Sequence, residues 1–328
     1  MSYMVYTRKL KRTDFIVNFV VPIYNEEKNI NNLFLSLYSA IKYARINRWK
    51  IYFILNKSTD ASRVLLEKLR TRFPKNILIL KVNLFNKTAS QKVAIKKIKN
   101  NGIIIFIDCD VRLDKRALIP IISKFEKNKE SIILGGTALP HKPKNIGFYR
   151  SIMFYCLNVA NSYPKILMPK YGSINLDGNK NYFHGRFFAL RSKNYWILKE
   201  ERFPEDVIFI DMIYQKFGTN GTFFNLTNSK CYYQPYLSLH EHYTSHLRNY
   251  FFLKSLYITH PDLSKFGYLY ENTLNYNYIS KLPKSTIVFI LIWLFISRLE
   301  SLIYYLNYNI NKHNVDGMYL WRKMKSAK

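Results

Sequence analysis

Asp108-Cys109-Asp110 follows directly on the apolar run Ile103-Ile104-Ile105-Phe106-Ile107. Side chains at i and i+2 of an extended segment project to the same side, so both carboxylates can address one divalent cation or one metal–nucleotide unit. A buried strand running straight into them sets them at its carboxyl end, where open α/β sheets bind ligands. Carboxylate oxygens suit Mg2+ or Mn2+, ions that commonly bridge to phosphate. Taken alone, an Asp-x-Asp is more often a strand-ending turn with solvated side chains; the preceding isoleucine run and the further motifs reverse that reading. Two more acidic clusters accompany it. Val20-Val21-Pro22-Ile23-Tyr24-Asn25-Glu26-Glu27 closes a first apolar run and opens a helical pattern, and Phe203-Pro204-Glu205-Asp206-Val207 precedes another. Each has a plain local account, in the helix macrodipole for the first and in N-capping for the second.

The elements that must position these groups are legible in the N-terminal half. Short apolar, β-branched runs occur at residues 15–21, 51–55, 77–82, 103–107 and 132–134. Between them apolar residues recur at helical spacing, as in Ile30/Leu33/Phe34/Leu37/Ile41, Val64/Leu65/Leu69, Val93/Ala94/Ile98 and Leu118/Ile121/Ile122/Phe125. This alternation predicts crossover units on a mainly parallel sheet, and the unbroken apolarity of the runs predicts strands buried on both faces. No GxGxxG follows the first strand, which disfavours an ordinary dinucleotide fold. Residues 137–183, punctuated by Pro140, Pro143, Pro164, Pro169, Gly172 and Gly178, read as an irregular excursion over one face of the sheet. Residues 182–190 read as a strand and 205–217 as a helix closed by Gly218.

Taken together, these residues carry a resemblance. The segment 21–27 followed by an amphipathic helix is similar to the opening of family 2 glycosyltransferases, and Ser58-Thr59-Asp60 after the second strand is similar to their next motif. Asp108-Cys109-Asp110 resembles their Asp-x-Asp, Gly185-Arg186-Phe187-Phe188-Ala189-Leu190-Arg191 their glycine-led strand beside the acceptor, and Glu205-Asp206 their Glu-Asp motif. All five stand in family order within residues 15–245. The resemblance implies a GT-A fold, α/β and Rossmann-like, in which helices flank the sheet. It also implies a metal-dependent, inverting transfer of a sugar from a nucleotide-sugar. On that footing Asp108 contacts the donor nucleoside or the metal, Asp110 binds Mn2+ or Mg2+, Asp206 is the general base and Glu205 supports it. Pro22, Tyr24, Asn25, Glu26, Asn56, Ser58 and Lys92 are the expected donor-side residues. His184, Gly185 and Arg186 are expected beside the acceptor and Arg248 on the diphosphate, with His240 or His242 completing the metal site. For the lone histidines, packing or surface placement is the plainer account, as a solvated helix face is for Lys92.

The sequence also departs from the family pattern. Where the family has Asp-Asp-Gly-Ser, this chain has Leu55-Asn56-Lys57-Ser58, so a UDP-sugar, the expected donor, loses its usual acidic contact to the base. Asn56 keeps the capacity to hydrogen-bond a base edge. The Gly- and Asn-containing segment before the Asp-x-Asp strand is eroded to Lys87-Thr88-Ala89-Ser90-Gln91-Lys92, and the Gln-x-x-Arg-Trp of processive polymerases is missing. Transfer of a single sugar to a cell-envelope glycan, a lipid-linked acceptor or another hydroxyl is therefore expected. The expected organisation is a catalytic domain over 1–236 (a nucleotide-sugar half to about 136, then an acceptor half). An aromatic and His-rich extension over 237–282 follows, then an apolar helix with a basic tail over 283–328.

The chain has 328 residues, a formal net charge of +30, 48% hydrophobic and 22% charged residues. It is too apolar for a disordered basic tail. The charge calls for an anionic partner and leaves nucleic acid, membrane or phosphorylated substrate open. Three scattered cysteines give no disulfide framework and fit a reducing compartment, and no cleavable signal peptide is expected. Residues 287–296 are apolar and are continued by Leu299, Leu302, Ile303, Tyr304 and Leu306, with Arg322, Lys323, Lys325 and Lys328 beyond. An interfacial helix, a buried core helix and a true span all remain open for this segment. A cytoplasmic, peripheral location at an anionic membrane face is the expectation. Two other classes stay open at this stage: a nucleotidyltransferase on a similar sheet, and a basic nucleic-acid-binding protein. The latter has its cations spread along the chain rather than gathered in a recognition motif.

Overall fold

The computed structural model describes residues 15–83, 87–98, 102–129, 133–142, 147–162, 167–169, 185–194, 223–235, 238, 272–274 and 279–310. The chain divides into two compact units, Met1–Ala138 with Leu176–Tyr232 and Leu139–Asn175 with Tyr233–Lys328.

Among the described residues the first unit is built on one eight-stranded sheet. Its order is β3 (Ile77–Val82), β2 (Trp49–Asn56), β1 (Val17–Ile23), β4 (Ile103–Ile107), β8 (Phe187–Arg191), β6 (Ile133–Pro140), β9 (Phe223–Tyr233) and β5 (Val111–Leu113), numbered along the chain. β1 pairs in parallel with β2 from Val17–Trp49 to Ile23–Leu55, and with β4 from Val17–Ile103 to Val20–Phe106. β3 continues the parallel half on β2. β8 then runs antiparallel to both β4 and β6, so the sheet is parallel as far as β4 and antiparallel at the next two pairings. The apolar runs did not reveal that reversal, because a strand buried on both faces looks the same in either direction. Every residue of β4 is buried, at roughly 1.5–3 kcal/mol of favourable burial for each large apolar side chain.

Two helices follow their predicted stripes. α1 (Ile30–Tyr43) buries Ile30, Leu33, Phe34, Leu37, Ala40 and Ile41, and α4 (Leu118–Lys127) buries Leu118, Ile121, Ile122 and Phe125. α2 (Ser62–Arg72) does not follow the expected Val64/Leu65/Leu69 stripe: it is anchored by Ser62 and Leu66, and Val64 faces outward, 56% exposed. α4 ends under a side-chain cap: the Arg191 guanidinium donates to the carbonyls of Phe125 (2.5 Å) and Asn128 (2.9 Å) and lies over the Phe125 ring. A cation on orphan C-terminal carbonyls satisfies them and complements the dipole. α3 (Lys87–Lys97) starts a turn and a half before its apolar pattern does. Its first turns bury Thr88, Ser90 and Gln91, and neither amide atom of Gln91 has a hydrogen-bond partner among the described residues.

In the second unit the excursion expected to be irregular contains α5 (Phe148–Ser162), 15 residues long. The prolines that suggested irregularity, Pro143 and Pro164, lie outside it. β7 (Leu167–Pro169) pairs antiparallel with β10 (Asn272–Leu274), and α6 (Lys284–Ile310) begins directly after Pro283, whose carbonyl accepts from Ile287. Among the described residues no helix is long and apolar enough to cross a membrane. Cys109, Cys156 and Cys231 are all buried.

Two close approaches set the centre of the sheet. A Cβ at Gly102 would lie 2.2 Å from the Ile16 carbonyl oxygen, and one at Gly136 would lie 2.2 Å from a ring carbon of Phe187. The Ile16 oxygen cannot retreat cheaply, because it accepts the Ile103 N–H at 3.1 Å. Gly102→Ala is therefore expected to cost about 1–3 kcal/mol or more through forced backbone displacement at the β1–β4 start. Urea denaturation of the variant against the parent chain measures it.

Candidate active site

The site is assembled at the carboxyl edge of the parallel half. The last register pair of β1 and β4 is Val20 with Phe106, and two residues further along the chain from each stand Pro22 and Asp108. β2 ends beside them at Asn56, one residue past the Ile23–Leu55 pair. Because β8 is antiparallel, its beginning meets the end of β4. Ile107 pairs with Phe187, and the Asp108 N–H donates to the Arg186 carbonyl at 3.0 Å. Gly185 and Arg186 thus join Asp108 across 77 residues of chain.

A lysine that no sequence pattern singled out completes the group. The Lys87 ammonium, at the first residue of α3, lies 2.5 Å from Oδ1 of Asp108 and donates to the Gly185 carbonyl at 3.1 Å. Both side chains of the pair are about a quarter exposed, so the group faces a wet opening rather than the core. Lys92 lies five residues further along the same helix, about 7.5 Å by helical rise. Asn56, nearly buried, donates to the Ser90 hydroxyl at 3.4 Å and ties β2 to α3. Cys231 of β9 senses the same cluster: burial pushes its thiol up, Arg186 opposes, and Asp108 and Asp110 add to the rise.

The loops after β1 and β2 are clasped to one another. The Asn25 N–H donates to the Ser58 hydroxyl (3.1 Å), and the Asn25 side-chain oxygen accepts the Thr59 N–H (2.8 Å). The Glu26 N–H donates to the Ser62 hydroxyl and the Glu27 N–H to Asp60, each at 2.9 Å, and the Glu27 carboxylate accepts the Ala61 N–H. The Glu26 carboxylate accepts from Asn29 at the start of α1. Among the expected donor-side residues, Asn25, Glu26 and Ser58 therefore hold the shape of the edge. Asn25 and Lys57 both adopt left-handed backbone, with φ of 52° and 44°. Asparagine tolerates this, whereas lysine carries a strain of roughly 1–2 kcal/mol. Lys57 stands where the family pattern has glycine, and the turn has kept the glycine conformation without the glycine.

Asp110 lies in the turn after β4. Among the described residues no three His, Cys, Asp or Glu side chains form a metal cluster. Glu205, Asp206, His184, His240, His242 and Arg248 lie outside the described residues.

The model of glycosyl transferase family 2 matches residues 18–196, more than half of the chain, and the chain belongs to that family. The matched stretch takes in Asp108–Asp110 and Gly185–Arg186 and stops before Glu205-Asp206. Among solved structures, the mannosyltransferase PcManGT from Pyrobaculum calidifontis in complex with GDP-Man and Mn2+ is similar over 94% of this chain and 84% of that one, at 12% identity and a TM-score of 0.51. The fold is accordingly GT-A. The S. aureus TarS 1-349 structure aligns over 71% of this chain and 64% of its own, at 16% identity and a TM-score of 0.45. Its complex with UDP-GlcNAc aligns over 71% and 65%, at 17% identity and 0.48. This chain thus spans less than two thirds of the TarS fragment. No curated protein matches the sequence.

The clasp has a pH signature. Partial burial raises the Asp60 carboxyl, but hydrogen bonds from the Ser62 hydroxyl and from the Glu27 and Ser62 N–H groups outweigh it and hold the group below the ordinary carboxylate range. A lowered folded-state value means that the contribution is complete above the unfolded carboxylate range and is lost as pH falls through the lowered value. Asp60→Asn is expected to reduce stability at neutral pH by about 1 kcal/mol. It should also flatten the acid limb of a stability-versus-pH curve, measured by denaturant titration at several pH values.

Proposed function

We propose that this protein is an inverting glycosyltransferase that moves one sugar from a nucleotide-sugar to a hydroxyl of a cell-envelope glycan or lipid-linked acceptor. The observation that supports this most is the gathering of Lys87, Gly185 and Arg186 around Asp108 at the carboxyl edge of the parallel strands. An acidic residue with a fixed cation beside it suits a ligand that arrives as a metal–diphosphate: one group holds the metal, the other the phosphate oxygens.

In the proposed reaction the acceptor oxygen forms a bond to the anomeric carbon as the bond from that carbon to the diphosphate oxygen breaks. Configuration inverts, the acceptor proton passes to Asp206, and the nucleoside diphosphate leaves. Glu205 supports Asp206, and His184 stands on the acceptor side. Asp108 and Asp110 offer only hard oxygen ligands, which fit Mn2+ or Mg2+, with His240 or His242 as a further ligand. A cation held there supplies charge stabilisation for the departing diphosphate. Arg248 and Lys92 are assigned to phosphate oxygens, and Pro22, Tyr24 and Asn56 to the nucleoside, a UDP-sugar being the favoured donor. We assign the reaction to the cytoplasmic side of a membrane.

Lys87 joins this reading as a residue shared between Asp108 and the incoming diphosphate. Lys87→Met is expected to weaken binding of a nucleoside diphosphate by roughly tenfold or more, the worth of one charge-assisted hydrogen bond. Binding of Mn2+ alone should hold or tighten, since Asp108 is no longer shared. Calorimetric titration with each ligand separately checks both.

The reaction itself is tested by screening nucleotide-sugars for Mn2+- or Mg2+-dependent thermal stabilisation and hydrolysis. A donor present at a hundred times its Kd stabilises by about 2.7 kcal/mol. Asp206→Asn is expected to lose transfer while keeping affinity for the metal–nucleotide. Full activity in that variant, or no stabilisation of the folded chain by any donor, overturns the assignment. Release of pyrophosphate from a nucleoside triphosphate would mark nucleotidyl transfer instead.

A further inference from the structure

α6 is apolar on two sides, and α5 covers one of them. Ile290 is 1% exposed and packs with Val159, and Phe289 and Leu294 join the same cluster. Ile296 packs against Met153 and Phe154, and the Phe289 ring lies 5.3 Å from Tyr155. Facing away from that seam are Val288, Leu291, Phe295, Leu299 and Leu302, with 53, 59, 69, 43 and 54% of their surfaces exposed. At 100° per residue these five fall within an arc of about 80°, and they run about 21 Å along the axis. The stripe is therefore continuous, unlike the scattered single apolar residues normal on a soluble surface.

Its border is cationic. Lys281 and Lys284 are exposed ahead of and within the first turn, and Lys284 falls in the same sector as the stripe. Arg298 is exposed and sits about 20° outside the stripe's edge. In the sequence, Arg322, Lys323, Lys325 and Lys328 follow the helix, in a chain of net charge +30. That charge opposes a second copy of the same chain and favours an anionic surface. A nucleic acid would answer the cations but leave the apolar stripe in water.

We propose that α6 lies in the plane of an anionic lipid bilayer. The Val288–Leu302 stripe is sunk into the headgroup–acyl boundary, and Lys281, Lys284 and Arg298 lie among the lipid phosphates. The apolar face turned to α5 stays packed on protein, so the contact is lateral. It agrees with the lack, among the described residues, of any helix long and apolar enough to cross a membrane. This in-plane geometry is that of interfacial amphipathic helices, whose binding combines buried apolar area with attraction to anionic lipid.

The test uses the full chain with phosphatidylcholine vesicles, with and without phosphatidylglycerol, in a flotation assay. Leu291 and Phe295 are both exposed, so the double variant Leu291→Gln, Phe295→Gln is expected to fold, as checked by its melting curve. The parent should bind phosphatidylglycerol vesicles roughly tenfold or more tightly than phosphatidylcholine ones, and the double variant should lose roughly tenfold or more of that affinity. Equal binding by parent and double variant, or no binding by the parent, overturns the proposal. A dimer-to-monomer change in the variant with unchanged vesicle affinity also overturns it, and makes the stripe a seam between copies. Donor-dependent thermal stabilisation in vesicle-free buffer reads the catalytic proposal separately, so either can fail without the other.

Discussion

The antiparallel register of β8 on β4 is the constraint on which the rest of the site depends. Period-two alternation means that a slip of one residue would turn every side chain of β8 to the opposite face and move Arg186 away from Asp108. Two features hold the register. Phe106 and Phe188 are directly paired and their rings stack, with centroids 4.7 Å apart, a contribution of about 0.5–1.5 kcal/mol beyond burial. On the far side of β8, Gly136 of β6 leaves room for the Phe187 ring. With β8 fixed in this way, Gly185 and Arg186 arrive at the end of β4.

Lys87 addresses an electrostatic problem that the strand topology creates. Parallel strands ending together bring acidic residues from separate segments to one edge, and a carboxylate on the rim of an apolar sheet needs a counter-charge. The Lys87 ammonium supplies it to Asp108 while its second bond, to Gly185, ties α3 to the start of β8. The same bond that neutralises Asp108 thus also positions the glycine-led strand. The loop clasp works differently. Asn25, Ser58, Asp60 and Ser62 satisfy backbone N–H groups at the openings of α1 and α2, so the two loops beside the site are held by side chain–backbone bonds rather than by apolar packing.

Legibility in the sequence followed burial. β1, β2 and β4 are largely buried runs with β-branched residues and β3 is a half-buried one, and each was found within about two residues. α1 and α4 bury unbroken apolar stripes and were found as well. α3 was found only from its middle, since its first turns bury Thr88, Ser90 and Gln91, which no hydrophobic period can report. Lys87 was missed for the same reason: it stands at the head of that polar stretch, and its partner lies 21 residues further along the chain. β9 was also missed, because exposed residues such as Asn228 and Lys230 alternate with buried Ser229 and Cys231 along it. Lys57 carried a signal of another kind. A lysine stands in place of the family's glycine, and the backbone still holds φ at 44°. The surrounding hydrogen bonds determine the turn more strongly than the residue in it.

The environment of α6 was left open by its apolar run for a reason that extends to both units. A window mean treats a helix as a cylinder of uniform polarity, while packing acts on sectors. The apolar run at 287–296 left an interfacial helix, a core helix and a span open because the run alone does not say which of its sides is covered. The sectors separate them. Ile290 and Ile296 are taken up by α5, as in a core helix, and Val288, Leu291 and Phe295 are left outside, as in an interfacial one. The interior of the β-sheet shows the converse, since strands buried on both faces carry no alternation and hide their direction. In each case the missing information is which neighbour covers which face, and a one-dimensional pattern records that only when a single face is buried.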